Sequence, residues 1–318
     1  MKKIFLLIAV FLILAGGFFT EKSFAGPWTL NEGRVWTEVF TRYFHSKECF
    51  DSEYNQSDWG DGGWSSIYDV EAKIEYGVVN DLNFLLGIPY SWSHWTNDWS
   101  RTQWSEKFKH EGFKPISVGV KYKFMNKPAV AAVQLKYFIQ PRGEDRVQAP
   151  ELNEYGDAIE IRALVGRSWT MSKDKLIYIA GEAGYLWRAD WEWTSQSIYA
   201  NAIPLFIEGG YSPLHWLMWK AEVDCMISQA GTGKVKDTYT WRTGPIFNII
   251  GKGFTSVTKG TQEEQTKDPN DLKERINLNL ELQYGQTFAG RGDADDRWNQ
   301  QDRVSKGQEF IAKVQLLF

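Results

Sequence analysis

Apolar and polar residues alternate along much of the chain, most clearly between Ile67 and Val79. In this segment the even-numbered positions from Tyr68 to Val78 are apolar, and the odd-numbered positions from Asp69 to Glu75 are charged. A period of two residues is that of a β-strand, because successive side chains of a strand point to opposite faces. Only Asn80 and Asp81 separate this strand from a second alternating run. The two runs therefore predict a β-hairpin with a tight turn.

The same alternation recurs along the rest of the chain. Counted together, the segments give about twelve strands, an even number within the range of outer-membrane barrels. We predict an all-β protein, a transmembrane antiparallel β-barrel of about twelve strands, with ten or fourteen as alternatives. The segments are Val35–Phe44, Ile67–Val79, Leu82–Trp92, Ile116–Phe124, Val133–Ile139, Ile159–Val165, Ile177–Trp187, Ile198–Tyr211, Leu217–Ile227, Tyr239–Ile250, Ile276–Tyr284 and Phe310–Phe318.

Two prolines, Pro204 and Pro245, lie inside predicted strands. Proline has no N–H to donate to a strand ladder, so we expect bulges or register shifts near both. A soluble periplasmic β-sandwich is the competing fold, because it also shows alternating strands.

The connections between the predicted strands alternate in length. Short turns and long polar segments on opposite ends are typical of outer-membrane barrels, whose turns are periplasmic and whose loops are external. Gly251–Lys273 is an exception, because it is long and polar on the predicted periplasmic side. The long segments predicted to be external loops are Ser46–Trp64, Ser93–Gly112, Pro141–Tyr155 and Ala289–Lys306.

The final strand ends on Phe318, after an alternating run that starts at Phe310. An unpaired last strand would present a row of free N–H and C=O groups. We therefore predict that Phe318 ends a strand that pairs with Val35–Phe44 and closes the barrel. A terminal aromatic residue after alternating apolar positions also resembles the C-terminal signal that the bacterial outer-membrane insertion machinery recognises.

The first 25 residues have the features of a secretory signal peptide. Lys2 and Lys3 precede an apolar run, and the small residues Ser23 and Ala25 follow it. We predict cleavage after Ala25, which leaves residues 26–318 as a single barrel domain in the outer membrane, in contact with lipid and lipopolysaccharide. An uncleaved anchor is the alternative, because the run approaches the minimum length of a membrane-spanning helix.

Composition agrees with a membrane barrel and argues against nucleic acid as a partner. The chain has 16 Trp, 14 Tyr and 19 Phe, and amphipathic rings collect at membrane interfaces. Removal of Lys2, Lys3, Lys22 and Glu21 with the leader turns 36 basic and 40 acidic residues into 33 and 39, an acidic balance. The two cysteines, Cys49 and Cys225, form neither a disulfide framework nor a metal site. No cofactor is expected.

Charged residues on the polar face of the strands are candidates for the lumen. Unpaired buried charge is costly, so these side chains must face water or pair across the barrel. Acids and bases are nearly balanced, which fits a narrow wet pore or a salt-bridged plug. The lumen candidates are Glu71, Lys73, Glu75, Lys121, Lys123, Glu160, Arg162, Glu182, Arg188, Lys220, Glu222 and Asp224.

Tryptophans concentrate in the predicted external loops or at their roots. We interpret them as an aromatic vestibule that captures apolar or aromatic solutes, or alternatively as a cap of loops packed on each other. The vestibule candidates are Trp59, Trp64, Trp95, Trp99, Trp104, Trp191 and Trp193.

No constellation points to catalysis. The nearest nucleophile and base are Ser91 or Ser93 with His94, but their spacing places Ser93 and His94 on opposite faces of a strand. The GTGK segment at Gly231 lacks the spacing of a phosphate-binding loop. The acidic segment Gly290–Asp302 is interpreted as a solvated loop rather than as a cation site.

Three stretches resemble the family of outer-membrane proteins of the meta-pathway of phenol degradation. They are EYGVVNDLNFLLGIPY from Glu75, ISVGVKYKF from Ile116 and AVAAVQLKY from Ala129. The resemblance implies an outer-membrane barrel that transports small solutes, apolar or aromatic ones among them. Two other hypotheses remain: a non-conducting barrel that acts as a surface binding or structural module, and an outer-leaflet lipid hydrolase.

Overall fold

The computed structural model describes most of the chain from residue 26 onwards. Side chains at positions 97–99 and 104–108 are outside the description. Within the described residues, no helix is long and apolar enough to cross a membrane. The described residues are 26–50, 52–58, 63–99, 104–141, 157–172, 175–188, 200–229, 235–251, 254, 277–292 and 304–318.

Fourteen strands are formed by the described residues. Twelve of them overlap the alternating segments of the sequence, while β2 and β5 lie in predicted loops. They are β1 (Val35–Phe50), β2 (Gln56–Asp58), β3 (Trp64–Val79), β4 (Leu82–Trp99), β5 (Trp104–Phe113), β6 (Ile116–Met125), β7 (Val130–Ile139), β8 (Ala158–Ser172), β9 (Lys175–Arg188), β10 (Ala202–Leu214), β11 (Leu217–Ser228), β12 (Lys236–Ile250), β13 (Asn277–Gly292) and β14 (Val304–Leu317).

Twelve of these strands form one closed antiparallel barrel, while β2 pairs only with β1 and β5 only with β4. Closure joins β14 to β1, with a register that runs from Trp36 opposite Leu317 to Phe50 opposite Val304. Beyond that register, Val35 and Phe318 exchange two backbone hydrogen bonds, each 3.0 Å long. The predicted fold, a transmembrane antiparallel β-barrel of about twelve strands, is confirmed.

The barrel is apolar outside and charged inside. Ile161, Ile207 and Phe310 project outward and are 40%, 61% and 56% exposed. Glu208 and Glu281 point inward and are 1% and 0% exposed. This inversion of the usual soluble pattern is what a lipid-facing wall requires, because lipid solvates the apolar face and the lumen must satisfy the charges.

The two ends of the barrel differ. We call the end with the β3–β4 turn at Asn80 and the β10–β11 turn at His215 the turn end, and the opposite end the loop end. The chain termini of the barrel, Val35 and Phe318, also lie at the turn end. Most of the long connection after β12 lies outside the described residues.

Several predicted external loops are shorter than expected because strand pairing continues past the apolar belt. Ser93–Gly112 is mostly a hairpin in which β4 and β5 pair up to Trp99 opposite Trp104. Within Ser46–Trp64, β1 continues to Phe50 and pairs with β2. Within Ala289–Lys306, β13 continues to Gly292. Beyond the membrane both faces of a hairpin meet water, so the alternation that marks the wall strands is lost. Pro141–Tyr155 lies almost wholly outside the described residues.

Pro204 and Pro245 each lack a partner on one of their two neighbouring strands. In the β9–β10 pair, Ala202 lies opposite Leu186 and Leu205 opposite Ala183, while Ile203 and Pro204 have no partner and the register does not shift. The bulge expected at Pro204 is therefore wrong, because a local loss of pairing suffices to accommodate the missing N–H. Near Pro245 a register shift does occur in the β12–β13 pair, between Asn248 and Ile250.

Candidate functional site: the barrel lumen

A cluster of buried charges fills one wall of the lumen, centred on Lys220 of β11. The Nζ atom of Lys220 lies 2.8 Å from Glu222, 3.2 Å from Glu208 of β10 and 3.2 Å from Glu281 of β13. Lys313 of β14 also reaches Glu281, at 2.9 Å. The alternation of β10, β11, β13 and β14 places all five side chains on the inner face. Mutual pairing offsets part of the desolvation of these groups.

The network continues along the wall towards the loop end. Arg242 of β12 and Arg42 of β1 both contact Glu309 of β14, at 2.5 Å and 3.5 Å. Arg42 also pairs with Asp69 of β3, which in turn lies 2.9 Å from Lys114. Charges of opposite sign thus alternate from β12 to the connection between β5 and β6, and they tie neighbouring strands together across the inner face.

Most of the predicted lumen residues do line internal cavities. Glu160 is instead buried against Arg162, at 2.8 Å, and Lys123 pairs with Asp81 at the turn end, at 2.6 Å. The ten that line cavities are Glu71, Lys73, Glu75, Lys121, Arg162, Glu182, Arg188, Lys220, Glu222 and Asp224.

Two cavities of similar size are stacked along the lumen. The loop-side chamber has a volume of about 440 Å³, and its lining includes Ser93 and Lys236. The turn-side chamber has a volume of about 430 Å³, and its lining includes Gly26 and Lys121. The chambers share Glu71, Ser117, Asp224, Met226 and Arg242. The two chambers therefore meet at this shared set of residues.

The segment that precedes β1 enters the turn-side end of the lumen, and we call residues 26–34 the plug. Trp28 packs edge-on against Tyr178 of β9, with ring centroids 6.0 Å apart. Leu30 is 2% exposed. Two backbone hydrogen bonds hold the base of the plug: Gly33 N–H donates to the Gly77 carbonyl at 2.8 Å, and Gly77 N–H donates to the Arg34 carbonyl at 2.9 Å. The plug was missed from the sequence because it has no regular period.

Glycines on the barrel wall make room for the plug. A Cβ atom at Gly166 of β8 would lie 2.8 Å from the Trp28 ring and 2.9 Å from the Pro27 side chain. A Cβ atom at Gly77 of β3 would lie 2.0 Å from the Asn31 carbonyl oxygen. All three distances are shorter than real Cβ contacts, so a side chain at either position would displace the plug.

An aromatic residue from the connection after β12 packs beside the plug. Phe254 is 2% exposed and packs with Leu176, Tyr178, Met218 and Ile246, the same cluster that contacts Trp28. Its backbone N–H donates to the His215 carbonyl at 2.8 Å. The turn end of the lumen is thus filled by apolar side chains from two separate segments of the chain.

The structure places few of the vestibule tryptophans. The ring of Trp64 lies 5.9 Å from that of His45, which stacks on the outward-facing Tyr43. Trp95 lies on the same face of β4 as Ser91 and Ser93. Trp99 and Trp104 are paired in backbone register. Trp59, Trp191 and Trp193 lie outside the described residues, so the vestibule remains a prediction.

The serines and the histidine considered for hydrolysis point in different directions. Ser91 and Ser93 are 0% and 2% exposed and line the loop-side chamber, whereas His94 is exposed on the other face of β4. His94 and His110 lie in β4 and β5, and His45 lies in β1.

Polar side chains connect the β1–β2 hairpin to the loop end of β12 and β13. The Tyr54 hydroxyl donates to Asp237 at 3.0 Å, and Arg291 lies 3.0 Å from the same carboxylate. Partial burial, together with the Asp237 carboxylate, raises the pKa of Tyr54 to about 12. The hairpin is therefore held down across β14 at the rim of the barrel.

The fold is that of a transmembrane β-barrel, and comparison with solved structures gives the same architecture. An outer membrane channel from Pseudomonas putida F1 is 10% identical, with a TM-score of 0.62 over 94% of this chain and 100% of that one. A FadL homologue from Pseudomonas aeruginosa is 8% identical, with a TM-score of 0.37 over 90% of each chain. No protein-family model and no curated protein matches the chain. The likeness to the Pseudomonas putida channel shows the fold, and the resemblance to the phenol-degradation family remains a prediction.

Proposed function

We propose that the protein is a passive channel of the bacterial outer membrane for small solutes, and that the plug holds its turn end closed at rest. The observation that carries the proposal is the pair of stacked cavities inside a closed, lipid-compatible barrel. The turn end is periplasmic and the loop end external, as barrels with short turns and long loops are oriented. The C-terminal strand is the segment that the insertion machinery recognises.

The lining of the loop-side chamber favours small aromatic or apolar solutes that carry an acidic group. Apolar side chains such as Phe44, Ile67, Phe138 and Met226 contribute to its wall. The same wall carries more cations than carboxylates. The cations are Arg42, Lys114, Arg188, Lys236 and Arg242, and the carboxylates are Glu71, Asp224 and Glu309. A planar carboxylate on an apolar body fits this combination, because guanidinium groups bind carboxylates in two-point geometry.

The solute class is tested in proteoliposomes. Uptake of benzoate, benzyl alcohol and benzylamine, which share a ring and differ in charge, is compared in the form that lacks residues 27–31, because the intact plug would itself prevent uptake, and uptake by protein-free liposomes is subtracted. We expect benzoate to enter fastest and benzylamine slowest, and we expect Lys114→Gln to reduce the advantage of benzoate. Lys123→Gln at the turn end is the matched control. Equal uptake of the three compounds would contradict the solute class, while uptake of none would contradict the channel.

A non-conducting barrel is the second candidate. The plug and the continuous ion-pair network favour it, because together they fill the turn end and brace the wall. It predicts no uptake of any solute even when the plug is loosened.

A further inference from the structure

Glu208 of β10 is a buried carboxylate with too few donors. It is 1% exposed, and neither of its oxygens accepts a hydrogen bond from the described residues. Its nearest cation, Lys220, lies 3.2 Å away and is shared with Glu222 and Glu281. A buried carboxylate that lacks donors is costly, so a further cationic donor at this position would stabilise the fold.

The first residue of the plug lies beside this carboxylate. A Cβ atom built on Gly26 would lie 3.3 Å from the Ala180 Cβ atom. Ala180 is directly opposite Glu208 in the β9–β10 register, where neighbouring Cβ atoms are about 4.5–5.5 Å apart. Gly26 and Glu208 also line the same turn-side chamber.

The lining of the turn-side chamber also has one more acidic than basic residue, so one further cation would balance its charge. Among the described residues that line it, eight are acidic and seven are basic. The acidic residues are Glu38, Glu71, Glu75, Glu182, Glu208, Glu222, Asp224 and Glu281. The basic residues are Lys73, Lys121, Lys136, Arg162, Lys220, Arg242 and Lys313.

We propose that the α-ammonium group of Gly26, created when the leader is cleaved after Ala25, binds the carboxylate of Glu208 and fixes the plug in the lumen. Glu75 is the competing carboxylate, because Lys121 contacts both it, at 2.8 Å, and the Gly26 carbonyl, at 3.4 Å. Glu75 already pairs with Lys121 and accepts a hydrogen bond from the side-chain amide of Asn83. Glu208 is therefore the carboxylate whose oxygens can still accept hydrogen bonds.

A direct consequence is that cleavage after Ala25 and fixation of the plug in the lumen are coupled. Before cleavage, the nitrogen of Gly26 is a neutral amide with one N–H. After cleavage it is a cation with three N–H donors, which is what the buried carboxylate requires. The proposal rests on the plug and on the predicted cleavage site, and it does not depend on which solute passes through the barrel.

The test measures how fast the α-amine of the folded, detergent-purified mature protein reacts with an N-hydroxysuccinimide ester at pH 7. N-terminal sequencing first establishes whether the mature chain starts at Gly26. Acylation is then followed by mass spectrometry of the N-terminal peptide. Only the neutral amine reacts, so each unit by which the ion pair raises its pKa slows the reaction about tenfold. We expect Glu208→Gln to accelerate labelling at least about tenfold, which corresponds to a decrease of one unit in the pKa of the α-amine.

The matched control is Glu182→Gln, which removes the same charge from the same chamber at a carboxylate paired with Arg162 at 3.0 Å. It should leave the labelling rate unchanged. If Glu208→Gln fails to fold, a mature chain with one extra glycine before Gly26 moves the amine by about 3.8 Å and should show the same acceleration. A start other than Gly26, equal rates in the wild type and Glu208→Gln, or equal acceleration by both carboxylate variants would overturn the proposal.

Discussion

At the scale of single residues, Lys220 is the cation on which three carboxylates of the lumen wall converge. Glu208, Glu222 and Glu281 are each at most 6% exposed, and each lies within 3.2 Å of its Nζ atom. Loss of one member of such a cluster leaves the others buried without compensation, which costs more than the cluster gains as a whole.

Lys220→Met should therefore lower the free energy of unfolding by about 3–5 kcal/mol, because three buried carboxylates lose a shared cation. The measurement is urea unfolding in detergent micelles. Lys123→Met, which removes a lysine paired with the partly exposed Asp81, is the control and should cost about 0–1 kcal/mol. A loss for Lys220→Met no larger than that of the control would show that the cluster is hydrated.

Gly166→Leu should expel Trp28 from the lumen, because even a Cβ atom at this position would lie 2.8 Å from its ring. Overpacking of this kind costs about 1–3 kcal/mol of stability. We expect a higher steady conductance in planar bilayers than for the wild type. Gly181→Leu is the matched control, since a Cβ atom there meets nothing closer than 3.7 Å. Unchanged conductance of Gly166→Leu would mean that Trp28 does not obstruct the lumen.

The sequence predicts which charged residues face inward, but it does not predict their partners. The alternation alone placed Lys220 and Glu222 on the polar face. Their contacts with Arg242 and Glu281 depend on which strands are neighbours and on the register between them. Trp28 and Phe254 have no periodic context at all, so nothing in the sequence separates them from ordinary loop residues.

At the scale of the strands, depth in the membrane should decide the cost of a charge on the outer face. Leu282 is the sixth of the 16 residues of β13 and lies on the outer face, where it is 42% exposed, whereas Leu278 is the second residue, next to the turn end. We predict that Leu282→Arg lowers the free energy of unfolding in lipid vesicles by about 2–4 kcal/mol, and Leu278→Arg by about 0–1 kcal/mol. Equal costs would contradict the membrane placement of the barrel.

The closing strand makes a second prediction. Deletion of Phe318 removes the two backbone hydrogen bonds with Val35, a loss of about 1–3 kcal/mol. We expect a smaller fraction of the protein to reach the outer membrane in its folded form, measured by the heat-dependent shift in gel mobility. Leu316→Ala, which keeps the strand length, is the control. Undiminished assembly after the deletion would show that closure does not need the last residue.

Strands of the membrane wall were predictable because one face meets lipid and the other meets the charged lumen. The hairpin of β4 and β5 was not, since beyond the wall its two faces meet similar surroundings. The hydrogen-bond ladder from Tyr90–Phe113 to Trp99–Trp104 nevertheless continues without interruption. Backbone pairing can therefore extend a strand where side-chain alternation no longer marks it.

At the scale of the whole molecule, the barrel is a cylinder with two chambers, braced from the inside. The ion-pair network ties its strands together, and the plug packs with the cluster of Phe254 at the turn end. In the channel that we propose, the loop-side chamber, with its mixture of apolar and cationic side chains, holds the solute first. The proposal then requires movement of the plug and not of the wall.

The most direct test of this account is single-channel conductance of the refolded protein in a planar bilayer, intact and without residues 27–31. Heat-dependent gel mobility establishes that both forms are folded. The account predicts little or no steady current through the intact barrel and discrete, larger openings once the plug is removed. Silence from both folded forms would contradict it and favour a non-conducting barrel.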